Sequence, residues 1–123
     1  MKQNLIQEKS FDFALLGIEI YKEMIKNKEF VLSKQLLKSG TSIGANLEEA
    51  LEGISKKDFT SKMSISSKEA RESNYWLRLI EKSKIVDIDV AETLIQITSI
   101  INILTKIVKT SQTQLSNQFN IKN

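Results

Sequence analysis

The chain has 123 residues, a formal net charge of +3, 41% hydrophobic and 27% charged residues, and no cysteine, histidine or proline. These values set it among folded globular proteins of single-domain size. They exclude a disulfide framework, thiolate or imidazole metal ligands, and catalysis by cysteine or histidine. With four glycines and no proline, nothing interrupts long helices.

Residues 1–9 read as a lead-in, and Ser10 is placed to cap a first helix running to about Asn27. Phe11, Ala14, Leu15 and Ile18 recur at helical spacing and are expected to face the core. A second stripe of Phe13, Leu16, Ile20 and Met24 is more apolar surface than a lone bundle needs.

The second helix is predicted from about Val31 to Glu52, with Leu32, Leu36, Ser39, Ile43, Leu47 and Ala50 as its seam. Gly40 and Gly44 lie beside that seam, where missing side chains let another helix come close. A phosphate-cradling loop is the alternative for this glycine-rich stretch. Neither phosphate-loop pattern is present, since no strand precedes it and no Gly-Lys-Ser/Thr follows.

Gly53 is expected to end this helix in the left-handed conformation. Ser55 and Asp58 have capping-box spacing, and Ile54 and Phe59 sit at hydrophobic-staple positions, so a tight helical hairpin is predicted here. The third helix runs from Lys56 to about Lys82, with Phe59, Met63, Ser66, Ala70, Ser73, Leu77 and Ile80 on its core face. Lys56, Lys57, Lys68, Arg71, Tyr75, Arg78 and Lys82 fall in a separate arc of about 120°. Ile65, Trp76 and Leu79 form a third, apolar arc.

The last helix is predicted from near Asp89, which has capping-box spacing to Glu92, to about Thr110. Leu94, Ile97, Ile101, Leu104 and Val108 make one seam, and Ile100, Ile103 and Ile107 a second. Its longest uncharged run, Thr93 to Thr105, is too short to span a bilayer. The domain is read as residues 1–111, with 112–123 a frayed or disordered polar tail. MKQNLIQEKS lacks the apolar core of a secretory signal, so the expected location is the cytoplasm, without a membrane partner.

Glu48, Glu49, Glu52, Glu69 and Glu72 are the carboxylates that could hold a metal or act as acid and base. The hairpin folds Glu52 toward Lys57 and Glu48 toward Lys62, so ion pairing is the reading preferred, with no cofactor and no enzymatic activity. The basic arc has two readings. It is solvated surface, or it binds a polyanion, with Arg71 and Arg78 on phosphates and Tyr75 stacking on an exposed base. An isoelectric point of about 9.1 agrees with either.

The runs SGTSIGANLEEA, SKKDF and KMSI-x-x-KEARE-x-x-YWLRLI resemble the four-helix-bundle proteins encoded in intervening sequences of bacterial 23S ribosomal RNA genes, the S23 ribosomal protein family. EKSFDFALLGIEIYK and FVLSKQLLKSG look like that family's first helix and the start of its second, so the likeness covers about residues 4–82, with a looser fit in the last helix. The resemblance implies an all-α, antiparallel up-down-up-down bundle that assembles as a ring-like homopentamer. It brings no catalytic residues. A related accessory protein of diversity-generating retroelements is a basic pentamer thought to bind nucleic acid and a reverse transcriptase.

The expected function is therefore a non-enzymatic oligomer that binds structured RNA or another polyanion, RNA or DNA being the candidate partners, through Lys57, Lys68, Arg71, Tyr75, Arg78 and Lys82. The alternative is a scaffold for a protein partner. Phe13, Ile20, Ile65, Trp76, Leu79, Ile100, Ile103 and Ile107 are the residues expected at the oligomer interface.

Overall fold

A computed structural model describes the backbone of residues 2–122 and the side chains of residues 5–118. It contains four helices: α1 (Lys2–Lys26), α2 (Leu32–Leu51), α3 (Lys56–Ser83) and α4 (Ala91–Lys122). Each helix packs on its chain neighbours, and α4 closes back on α1. Partners run in opposite order along each pair: Ser66 and Ser73 on α3 meet Ile43 and Ser39 on α2. Likewise Thr60 meets Ser111 and Arg71 meets Thr105 between α3 and α4. This is the antiparallel up-down-up-down bundle.

The core is filled by Ile6, Phe13, Met24, Leu36, Ile43, Leu47, Met63, Leu77, Ile80, Ile97, Ile100 and Leu104. Each large apolar side chain so buried contributes about 1.5–3 kcal/mol. The two stripes of α1 exchange roles relative to expectation. Phe13, Ile20 and Met24 are buried, whereas Phe11 is 61% exposed and Leu15 is exposed too.

The reason lies with two small residues. Ser10 and Gly17 continue the buried line of α1 where the apolar pattern breaks; α2 comes close at Ser10 and Phe13, whereas a Cβ on Gly17 would meet nothing within 4 Å. A Cβ on Gly44 would lie 3.7 Å from Ser10 Cβ, and one on Gly40 would lie 3.4 Å from the Phe13 ring. Ser10 is therefore a mid-helix core residue and no cap; α1 already runs from Lys2. Its buried hydroxyl has no hydrogen-bond partner among the described residues.

The first connection is built by residues that carry no turn signal. Lys28 takes the left-handed conformation (φ 64°), with Glu29 N–H bonded to the Met24 carbonyl and Lys28 N–H to that of Ile25, a Schellman ending with lysine in the usual glycine position. Glu29 then caps α2. Its carboxylate accepts from the backbone N–H groups of Val31, Leu32 and Ser33 at 3.2, 3.1 and 2.8 Å. Burial works against its charge, but these N–H bonds prevail and hold its carboxyl below the ordinary value.

At the hairpin, Ser55 Oγ accepts from Asp58 N–H at 3.1 Å, as the capping spacing predicts. Two other expectations fail. Gly53 has no positive φ. What requires glycine there is space, because a Cβ would sit 3.0 Å from the Ala50 carbonyl oxygen and 3.3 Å from Phe59 N. Ile54 is 96% exposed and makes no staple with Phe59. Lys84 supplies the second left-handed residue (φ 53°), ending α3.

Asp89 Oδ1 accepts from Ala91 N–H at 3.0 Å, but Glu92 bonds Gln96 instead of closing a capping box. Beyond Thr110 the chain continues as helix to Lys122, where a frayed tail was expected. The segment Ala91–Gln118 is long and apolar enough to cross a membrane by length and composition alone. In the fold its apolar face packs into the bundle through Ile97, Ile100 and Leu104.

Candidate nucleic-acid interface

The outer face of α3 exists because its inner face is committed. Ser66 and Ser73, both fully buried, bond the Ile43 carbonyl and Ser39 Oγ on α2, each at 2.8 Å. Small residues at that seam let the two helices pack closely and fix the rotation of α3. Lys57, Lys68, Arg71, Tyr75, Arg78 and Lys82 are thereby all turned outward and exposed.

Two of the cations are braced. Arg71 Nη2 donates to Thr105 Oγ1 on α4 at 2.8 Å, which ties the face to the neighbouring helix and leaves its other N–H groups free. The Arg78 guanidinium lies 5.7 Å from the centre of the Tyr75 ring, within cation–π range. Tyr75 in turn sits edge-on to Trp76, with ring centres 5.2 Å apart and an interplanar angle of 68°. Among the described residues none of the five cations forms an ion pair; the two ion pairs there are Lys22–Glu19 and Lys62–Glu49.

Lys56 parts from the arc. It is half-buried, and its Nζ lies 5.4 Å from the Phe59 ring centre. Lys109, exposed and one turn beyond Thr105 on α4, adds a cation that the single-helix reading did not include. Only the α3–α4 pairing brings it near, and a helix-by-helix reading of the sequence carries no signal for that.

The carboxylates are distributed differently from expectation. Glu49, not Glu48, pairs with Lys62 at 3.5 Å, and Glu48 accepts a long 3.5 Å bond from Gln7. Glu69 is partly buried beside Glu72. Burial and then that neighbouring charge raise its carboxyl above the ordinary value, which Lys68 and Lys38 only partly offset. Among the described residues no cluster of three acidic groups is arranged to hold a metal ion.

The expected oligomer interface divides. Phe13, Ile20 and Ile100 are core residues of a single chain, so they cannot meet a second one. The rotation of α1 that packs Ser10 and Phe13 against α2 removes Phe13 and Ile20 from the surface, and Ile100 is buried with Ile97 and Leu104. Ile65, Trp76, Leu79, Ile103 and Ile107 are half-buried and retain exposed edges. The Trp76 indole N–H is buried without an acceptor among the described residues.

No curated protein matches this chain. A solved structure of a protein of unknown function from the S23 ribosomal protein family of Bacteroides thetaiotaomicron VPI-5482 is 41% identical to it. The match covers 89% of this chain and 99% of that one, with a TM-score of 0.83. The family model of the 23S rRNA-intervening sequence protein matches residues 2–109. With the four helices in place and that match spanning nearly all of them, the chain belongs to the 23S rRNA-intervening sequence protein family.

Proposed function

We propose that this protein is a non-enzymatic helical bundle that binds structured RNA, or another polyanion, through the outer face of α3. In this reading it works in the cytoplasm as a ring-like homo-oligomer, pentameric as the family resemblance implies. The observation that carries the reading is the row Lys57, Lys68, Arg71, Arg78 and Lys82, exposed on one helix face without a carboxylate partner among the described residues. Two members are pre-oriented by Thr105 and Tyr75, which lowers the ordering cost of contacting phosphate. Tyr75, 48% exposed, offers ring surface on which an unpaired base can stack.

The test is a titration with labelled structured RNA at low and physiological salt. Binding at micromolar concentration or tighter, with a steep salt dependence, is expected from counterion release. Arg71→Glu with Arg78→Glu should abolish it. No binding at low salt would overturn the reading. A second reading, a scaffold for a protein partner, draws on the half-buried Trp76 with its orphan indole N–H; under it the same double variant leaves partner capture unchanged.

A further inference from the structure

One cleft of this molecule belongs neither to the proposed RNA-binding face nor to the core. It lies where the start of α1, the start of α3 and the C-terminal part of α4 meet, and has a volume of about 420 Å³. Small-molecule sites span roughly 300–1,000 Å³. Its apolar walls are Leu5 from α1, Phe59 from α3, and Ile103 and Ile107 from α4, and each retains exposed surface. The hollow exists because α4 is apolar on more than one side: Ile97, Ile100 and Leu104 fill the core, which leaves Ile103 and Ile107 to line the outside. The walls are also held in place. Ser111 lines the cleft and is buried, and its hydroxyl is hydrogen-bonded to that of Thr60, joining α4 to α3.

The charge in the cleft has one sign. Lys56 and Lys106 line it and no acidic residue does. Among the described residues neither lysine forms an ion pair. Lys56 Nζ lies 5.4 Å from the centre of the Phe59 ring, so a positive charge stands at the border of the apolar wall. Lysines alone would be solvated surface, and an apolar hollow alone would accept any hydrophobe. Together they select a molecule that has both an apolar body and an acidic group.

We propose that this cleft binds a small anionic amphiphile. Its aromatic or aliphatic body lies against Leu5, Phe59, Ile103 and Ile107, and its carboxylate or sulfonate faces the two ammonium groups, whose charge-assisted hydrogen bonds fix its orientation. Nucleic-acid phosphate brings no apolar body to these walls, and the hollow takes one dissolved molecule, not a membrane surface. The site is independent of both RNA binding and oligomeric state.

The test uses the full chain and a matched pair of fluorescent probes, anilinonaphthalene sulfonate and its uncharged analogue phenylnaphthylamine, which lacks only the sulfonate. The anionic dye should bind saturably at one site per chain, about tenfold tighter than the neutral one. Lys56→Gln/Lys106→Gln should erase that difference, whereas Leu5→Ala should weaken both dyes alike. Amide chemical-shift changes on adding the anionic dye should centre on Phe59, Ile107 and Ser111. Absence of saturable binding, equal affinity for the two dyes, a lysine variant that behaves like wild type, or shifts centred elsewhere would each overturn the site. Arg71→Glu/Arg78→Glu should bind the dye as wild type does, so failure of RNA binding leaves this site standing, and failure of dye binding leaves the reading of α3 intact.

Discussion

The Ser73 hydroxyl donates to Ser39 Oγ across the α2–α3 interface at 2.8 Å, and the Ser39 hydroxyl reaches back to the Leu36 carbonyl at 3.4 Å. Both serines are buried, and the Ser73 hydroxyl also lies 3.0 Å from the Glu69 carbonyl, so each has a carbonyl of its own helix as a further acceptor. Ser73→Ala should lower stability by about 0.5–1.5 kcal/mol, because it removes one buried hydrogen bond between the helices while Ser39 keeps the Leu36 carbonyl. The double variant Ser39→Ala/Ser73→Ala should cost less than the sum of the singles. Urea denaturation of the four proteins gives the coupling, and strict additivity would disprove a shared bond.

Glycine placement gives a pair of opposite outcomes. Gly53→Ala puts a Cβ 3.0 Å from the Ala50 carbonyl oxygen, and should destabilise by about 1–3 kcal/mol, as overpacking does. Lys28→Gly should stabilise, since lysine there holds φ at 64° and a left-handed non-glycine residue costs about 1–2 kcal/mol, against which glycine loses some chain entropy. Thermal melts decide both. Equal losses from the two changes would remove this account.

These two positions also show what the sequence can carry. Helix number, the core face of α3 and the Ser55 cap follow from spacing alone, because burial repeats every three or four residues and Ser55 stands three before Asp58. The left-handed residues at Lys28 and Lys84 leave no such trace, since the fold overrides local preference there. The stripes of α1 were ambiguous for a related reason. Its buried line reads Ile6, Ser10, Phe13, Gly17, Ile20, Met24, and the two small residues, Ser10 packed against Gly44 and Gly17 with open space where a Cβ would stand, hide it behind the more continuous stripe of Phe11, Ala14, Leu15 and Ile18. The basic face was legible as a face on α3, whereas Lys109 and the bracing of Arg71 by Thr105 exist only once α4 is docked.

Glu29 and Glu69 should impose opposite pH dependences. The folded state holds the Glu29 carboxyl below its ordinary value, so its contribution is present above the unfolded pKa and is lost as pH falls through the folded one. Glu69 is raised, so the folded state prefers its protonated form and stability is lost as pH rises from the unfolded pKa through the folded one. Glu29→Gln should therefore destabilise at pH 7 and converge on wild type in acid, by about 1–2 kcal/mol as for a lost helix cap. Glu69→Gln should stabilise at pH 7 and give nothing in acid. Chemical denaturation at pH 7 and pH 3 separates them, and a shared sign at pH 7 would refute the assignment.

Trp76 and Ser10 hold the two buried side-chain donors without acceptors among the described residues. A stranded donor forfeits its hydration and recovers nothing in the fold, which costs about 1–3 kcal/mol. Ser10→Ala removes one such group while keeping the Cβ that packs 3.7 Å from the position a Cβ on Gly44 would take, and should raise stability. Trp76→Phe removes the other but also sacrifices ring area against the core, so its effect on the single chain should be smaller, within about 1 kcal/mol of zero. The two variants part company when a partner is present. If a bound partner supplies the acceptor for the indole, Trp76→Phe weakens partner binding while Ser10→Ala, sealed against α2, leaves it unchanged. Paired stability and binding measurements on both variants distinguish an interface tryptophan from a core one; equal binding by the two would place Trp76 wholly in the fold.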